Sequence, residues 1–389
     1  MVKMVRKIDM HGVTIGHWGA IDELMAKQMH EGSFEPTLVT VEWSDETPSL
    51  GLGLYEDADM VDVDLATSEG FAVGRRYGYG GGTGVQTSDT PNYLLYYRKE
   101  DTSVLEETDT SGEANVAGLE EVGLEAEYSS IGDTEVVIDG ENYKVFAGAA
   151  ASFHLRDYWS VTAGIVWDFS EAGTILDDAI DIPPEKFEDK DTDSLTARIQ
   201  PLSSLVEEES LDTSKREILD TVAEANVVAL LGDDVKIEDG DWRREEREYI
   251  EGMADFFESD TWIRRRSTAR MCRRVSPEYD IGVAAYKSEK LIKTSVVVDG
   301  DGRIRDALIS GDPYLRPQPT VTEPGMLDEL EYRIRGLDAT DEATIRETVA
   351  AVFDRPEVEI PGIDPGEVAD PIARAAKNTE PIPDYLARQ

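Results

Sequence analysis

The chain has 389 residues, with 82 acidic side chains against 38 basic ones, a formal charge of -44, a single cysteine (Cys272) and four histidines. So negative a field repels phosphates everywhere except at a local basic pocket, which argues against a nucleic-acid partner, and a lone cysteine excludes an intrachain disulfide and a cysteine metal cluster. His11, His17, His30 and His154 are well separated and show no zinc-type spacing, so no protein-borne metal site is expected.

The length suits two domains, or one large domain with an appended module. No stretch of eighteen or more residues is continuously apolar, and Met1 to Met4 lack the apolar core of a signal peptide, so a soluble cytoplasmic protein with no membrane partner is expected. The even spread of carboxylates reads as an adaptation to molar intracellular salt, as in a halophile, where carboxylates hold water and repulsion is screened.

Residues 17 to 31 place Trp18, Ile21, Leu24, Met25 and Met29 three and four apart, which predicts an amphipathic helix ending at Gly32. The runs 37–43 and 49–55, separated by Pro48, predict strands. A short helix is expected from Asp62 to Glu69, and then a strand Phe71-Ala72-Val73.

That strand leads into Gly74-Arg75-Arg76-Tyr77-Gly78-Tyr79-Gly80-Gly81-Gly82-Thr83-Gly84. Glycines can take positive φ and turn their N–H groups towards an anion, and the paired arginines supply charge, so the stretch reads as an anion or acyl-phosphate cradle. It is neither a dinucleotide fingerprint, which needs Gly where Thr83 or Val85 stands, nor a P-loop, because Val85-Gln86 follow Gly84. A glycine-rich hairpin without a ligand stays open as a second reading.

A strand from Asn92 to Tyr97 leaves this loop. Residues 100 to 118 are acidic and poor in bulky apolar groups, fitting a helix start or a mobile loop equally well. Residues 135 to 150 then predict a hairpin turned at Asp139-Gly140, with Lys144 near the start of its second strand and small residues at Gly148, Ala149 and Ala150. Trp159 to Phe169 supplies another strand. Ser214 and Glu217 form a capping box before a helix, and a longer helix spans about Trp242 to Phe257.

Arg264, Arg265, Arg266, Arg270, Arg273 and Arg274 crowd a stretch with no acidic residue after Asp260, which marks a boundary. The cluster could dock an acidic carrier domain or be spent on internal salt bridges. Beyond it, Asp299-Gly300-Asp301-Gly302 joins two strands, and stripes at Leu327 to Leu337 and Ile345 to Phe353 predict two helices. The prolines from Pro356 onward suggest a surface or loose tail.

With both clusters in view, the chain resembles the lipoate-protein ligase A family of the biotin and lipoate ligase superfamily over most of residues 10 to 340. The resemblance rests on Arg75-Arg76 with Gly80-Gly81-Gly82, on Asn92 in the next strand, and on Asp139-Gly140, Lys144 and Gly148-Ala149-Ala150. The run Lys186 to Leu205 and the C-terminal hairpin and helix resemble further family segments. Lys144 stands one residue further from Gly148 than in the family pattern, and a one-residue slip reverses a strand side chain unless a bulge absorbs it.

The resemblance implies an α+β fold: a mixed-sheet catalytic domain with flanking helices, like a class II synthetase, over 1–258, a small accessory α+β domain over 259–354, and a proline-rich tail over 355–389. It implies a ligase that activates lipoate or octanoate with ATP and Mg2+ as acyl-AMP and passes the acyl group to a lysine. The acceptor would be the lipoyl domain of a 2-oxoacid dehydrogenase E2 or the glycine-cleavage H protein. Lys144 would be the catalytic cation, with Arg75, Arg76, Gly80, Gly81, Gly82, Asn92, Gly148 and Ala149 binding substrate and adenylate. Strand alternation predicts that only one of the two arginines faces the pocket. Two other readings are a diverged, silent protein that binds a lipoyl domain or acyl adenylate, and an octanoyl or lipoyl acyltransferase, which needs a cysteine nucleophile.

Overall fold

The apolar runs of the sequence pair into three sheets in the computed structural model, which describes residues 3–76, 82–130, 133–138, 140–152, 158–172, 174–181, 201–205, 213–287 and 290–387. The largest sheet has eight strands, in the order β11 (Lys236–Asp239), β1 (Met4–Val13), β2 (Thr37–Trp43), β6 (Asn92–Arg98), β10 (Tyr158–Ile165), β9 (Glu141–Ser152), β8 (Asp133–Ile138) and β7 (Ala126–Ser130). β1 runs parallel to both β11 and β2, and every other pair is antiparallel, so the sheet is mixed. A three-stranded sheet sets β3 (Ser49–Leu52) between β4 (Ala72–Arg75) and β5 (Gly84–Gln86). A third, antiparallel sheet has the order β14 (Ile304–Gly311), β13 (Leu291–Val298), β12 (Asp280–Lys287) and β15 (Glu380–Pro381).

Side chains alternate across the large sheet and give each face its own core. Leu38, Tyr93, Leu95, Tyr97, Trp159, Val161 and Val145 lie on the face covered by α3 (Val104–Glu121) and α6 (Lys215–Leu231). Val39, Val41, Leu94 and Tyr96 lie on the other, with α1 (Ile15–Glu31) and α7 (Arg244–Phe257). The expected helix at 17–31 is α1, two residues longer at its start, and the Ser214 capping box does open α6.

Residues 100 to 118, left between helix and loop by their composition, are helical. α3 starts on a Ser103 and Glu106 capping box and buries small and polar groups instead of bulky apolar ones. Those groups are satisfied: Asn115 Oδ1 accepts from Tyr93 and from Asn226 Nδ2 (3.1 and 2.9 Å), and Ser111 donates to Asn226 (2.7 Å). Short helices α2 (Val63–Ser68) and α4 (Ile175–Asp178) line the smaller sheet, α5 (Leu202–Leu205) joins the core under α3 and α6, and α8 (Asp260–Ile263) and α9 (Thr268–Arg273) carry the arginine-rich stretch.

The C-terminal sheet packs against α10 (Met326–Ile334), α11 (Glu342–Phe353) and α12 (Pro365–Lys377), with α13 (Asp384–Ala387) beside α9. The loose tail expected after Pro356 is corrected here. α12 is capped by Asp364, carries Pro365 in its first turn, where a missing N–H costs nothing, and buries Val368, Ile372 and Ala375. No helix among the described residues is long and apolar enough to cross a membrane.

Candidate functional site

The two arginines at the end of β4 part company, as strand alternation requires. Arg75 is wholly buried, and its guanidinium donates to the backbone carbonyls of Ile263, Gly53, Leu54, Glu56 and Arg266 at 2.6 to 3.3 Å. Burial, and then the charges of Arg266 and Arg265, push its pKa down to about 9, with Glu56 and Asp57 opposing. Expected to bind substrate or adenylate, Arg75 instead ties the root of the glycine stretch to the arginine-rich segment, and it presents no free donor edge to a ligand. Arg76 turns the other way and donates to the Gly82 carbonyl, closing the loop between them.

Gly82 is bracketed on its far side by Thr83, which donates to the buried carboxylate of Glu56, and Glu56 also accepts from Gly53 N–H (3.2 Å). Gly74 serves packing: a Cβ there would meet Ile15 Cγ2 at 2.5 Å, so α1 rests directly on the backbone of β4. Neither Gly74 nor Gly84 takes left-handed φ, contrary to the expectation for cradle glycines. Gly80 and Gly81, and most of Lys186 to Leu205, lie outside the described residues.

On the large sheet, Asn92 on β6 and Lys144, Gly148 and Ala149 on β9 lie to either side of β10. Asn92 is buried, its Oδ1 accepts from Trp43 Nε1 (2.8 Å), and Trp43 stacks on Trp18 with ring centroids 5.3 Å apart. It lies directly over Gly164, where a Cβ would meet its Nδ2 at 2.0 Å. Next along, Gly148 pairs with Ala163 and Ala149 with Thr162.

Lys144 is opposite Glu135, but Thr134 is opposite Phe146, so Val145 is an extra residue in β9. This β-bulge absorbs the one-residue excess between Lys144 and Gly148 that the sequence shows. Val145 enters the α3/α6 core, and Lys144 sits on the other face with Asp133, the two joined by an ion pair of 2.5 Å. Asp133 is a site residue that the sequence reading passed over. Its signal was alternation, because 133 shares a face of β8 with 135, the register partner of Lys144.

Helices on both faces of an eight-stranded mixed sheet, with a half-exposed lysine on β9 and a buried asparagine two strands away on β6, make this a mixed-sheet α+β domain. The family model of the lipoyl protein ligase A/B catalytic domain matches residues 18–223, more than half the chain, and the chain belongs to that family. The matched span holds all of the residues just described as gathered on the sheet and at the loop.

Solved structures agree on the fold. The bi-partite lipoate protein ligase of Thermoplasma acidophilum, described with its E2 lipoyl domain, is 18% identical with a TM-score of 0.51, over 67% of this chain and 96% of that one. A lipoate-protein ligase A bound with ATP is 18% identical with a TM-score of 0.51, over 68% of this chain and 99% of its own. LipL1 of P. falciparum in complex with lipoate is 12% identical with a TM-score of 0.58, over 91% of this chain and 95% of that one. No curated protein matches the sequence significantly.

Proposed function

We propose that the chain is an ATP-dependent ligase that activates lipoate, or octanoate, as acyl-AMP and transfers the acyl group to a lysine of a lipoyl carrier domain. The observation that carries this is the bulge at Val145, which puts Lys144 on the face of β9 opposite the α3/α6 core in spite of its displaced spacing. A lysine displaced to the wrong face would favour the silent binding protein, and the bulge supports the ligase reading instead.

In this reading Lys144 exchanges Asp133 for the α-phosphate and neutralises charge as the carboxylate of the acid attacks phosphorus. Asn92 and the small residues Gly148 and Ala149 line the acyl slot, and Arg76 with Gly80, Gly81 and Gly82 shapes the turn that covers it. ATP-bound and lipoate-bound family members support both ligands, and the Thermoplasma ligase supports an E2 lipoyl domain as acceptor; the glycine-cleavage H protein is the other candidate. Among the described residues no group of three or more His, Cys, Asp or Glu could hold a metal. Mg2+ would therefore come with the nucleotide phosphates and their waters. Residues 1–258 would form the catalytic domain and 259–354 the accessory one, to which α12 is added.

The acyltransferase reading needs a reactive cysteine. Cys272 is buried in the C-terminal core, and burial, then Asp59, Asp57 and Asp306, push its thiol up to about 11, the wrong direction for a nucleophile.

The test is transfer of lipoate to an apo lipoyl domain with ATP in molar potassium chloride, followed by intact mass, with wild type beside Lys144→Ala. A lipoyl mass gain that the variant loses by about a hundredfold or more in rate supports the reading. No gain and no pyrophosphate release with either acid ends it.

A further inference from the structure

The arginine-rich stretch after Asp260 is only partly spent inside the fold. Arg264 pairs with Asp260 (2.6 Å), and Arg270 donates to the carbonyls of Thr261 and Arg264 (3.1 and 3.4 Å). Arg274 is different. It is exposed at the end of α9, and among the described residues no carboxylate stands within ion-pair distance of it. It lines a cavity of about 480 Å3 between α9, β14 and α10, within the size range of small-molecule sites and outside residues 18–223, the span of the family match.

The carboxylates of this cavity are already neutralised. Asp306 pairs with Arg335 (2.6 Å) and Asp328 with Arg266 (2.8 Å), Glu331 is held by Arg266 and by Ile309 N–H (2.7 Å), and Glu329 is held by Arg333 (2.7 Å) and Arg355. Burial pushes the Glu331 carboxyl up to about 7, against the charge of Arg266, which reduces its negative charge further. Donors are what is left over. Arg266 is 3% exposed in the cavity wall, and its Nε is buried with no hydrogen-bond partner among the described residues. Behind it, the Tyr55 ring centroid lies 5.7 Å from the same guanidinium, and the Tyr55 hydroxyl is buried and equally without a partner among them. Met271, Leu308 and Pro324 give the cavity an apolar side, and Tyr332, 72% exposed on α10, adds an open aromatic face.

A buried donor without an acceptor is unfavourable, and so is a guanidinium left uncommitted in a chain with a formal charge of -44. An oxyanion in the cavity answers both. We propose that the cavity between α9 and α10 is a binding site for a small oxyanion, a phosphate ester or a carboxylate, that carries an aromatic or apolar body. The fork of the Arg274 guanidinium matches the oxygens of either group, and Tyr332, Met271 and Leu308 take the body. The site is independent of the ligase reading, because none of its residues belongs to the sheet that carries Lys144 and Asn92.

The test is titration calorimetry of the full chain with phenyl phosphate and with benzoate, at one fixed concentration of potassium chloride. The two probes tell a phosphate head from a carboxylate. One saturable site per chain is expected for at least one of them, with affinity weakened about tenfold or more in Arg274→Gln and about threefold or more in Tyr332→Ser. Both positions are exposed, so both variants should keep Tm within about 2 °C of wild type. Lys144→Ala should bind the probe as wild type does, which separates this cavity from the candidate site on the sheet. The inference is overturned if neither probe binds saturably, if a folded Arg274→Gln or Tyr332→Ser variant binds within about twofold of wild type, or if Lys144→Ala loses the binding.

Discussion

The guanidinium of Arg75 is enclosed by backbone carbonyls, while that of Arg76, one residue on, reaches the glycine turn. Alternation along a strand made it legible that the pair would divide, but which one is enclosed by backbone carbonyls depends on the register of β4 against β3, and no single sequence shows that. The same limit hid Glu246. In a chain so rich in acid its value lies in its neighbours: Arg6 meets both its oxygens at 2.9 and 3.1 Å, and Gln28 Nε2 and Arg243 N–H donate at 2.7 and 2.8 Å. Burial alone would raise its pKa, but these hydrogen bonds and the charge of Arg6 outweigh it and hold the carboxyl below its usual range. A depressed folded pKa contributes stability that is fully present above the unfolded value of about 4.3 and is lost as pH falls through the folded one. Glu246→Gln should therefore lower stability by about 3 kcal/mol at neutral pH, because it leaves the half-buried Arg6 guanidinium without its carboxylate. It should also flatten the acid limb between about pH 5 and pH 3 in urea unfolding. An unchanged acid limb would show that other carboxylates carry it.

Hairpins and helices with strong local signals were legible: the Asp139-Gly140 turn, the capping box of α6 and the stripe of α10 rest on contacts close in sequence. β1, β7, β11 and β12 were not, since their pairing partners are distant or their faces carry mixed polarity. α3 stayed undecided between helix and loop because its buried face is built from hydrogen-bonded polar groups and small residues, which composition scores as solvent-facing. Gly164 is another case where an element's meaning appears only across the sheet. Its lack of a side chain lets the Asn92 amide lie flat between Trp43 and β10. Gly164→Ala should push that amide aside at a cost of about 1 to 3 kcal/mol and lower lipoate transfer, because Asn92 no longer meets the slot. Gly164→Ala with Asn92→Ala should recover most of the lost stability and none of the activity, a non-additivity that chemical unfolding and the transfer assay read separately. Full additivity in stability would mean that the two residues do not collide.

Across the whole molecule the decisive number is the surplus of carboxylates, 82 acidic side chains against 38 basic ones. Arg216 shows how fully the cations are used, meeting Asp9, Glu42 and Asp220 at 2.6 to 2.9 Å. Salt weakens such exposed pairs, which by itself would destabilise the fold, but each is worth little, about 0.2 to 1 kcal/mol. The surplus charge of -44 has no internal partner, and its mutual repulsion is released when the chain expands. Screening that repulsion should win, because the carboxylates without a cation outnumber those with one. Potassium chloride raised from about 0.1 M to about 2 M should thus raise Tm by roughly 10 °C or more. Most of that gain should fall below about 1 M, where the screening length shrinks from about 10 Å to about 3 Å. A rise that instead continued in proportion to concentration, and was much steeper in potassium sulfate, would assign the effect to exclusion of salt from the protein surface. A flat or falling Tm would mean that the surplus carboxylates are already tolerated at low salt, and that the composition answers to something other than ionic strength. Lys144 makes the same contrast locally. A phosphate ligand reaches it through a field that repels anions, so nucleotide affinity should strengthen with salt over the range in which Tm rises, the reverse of ordinary anion binding.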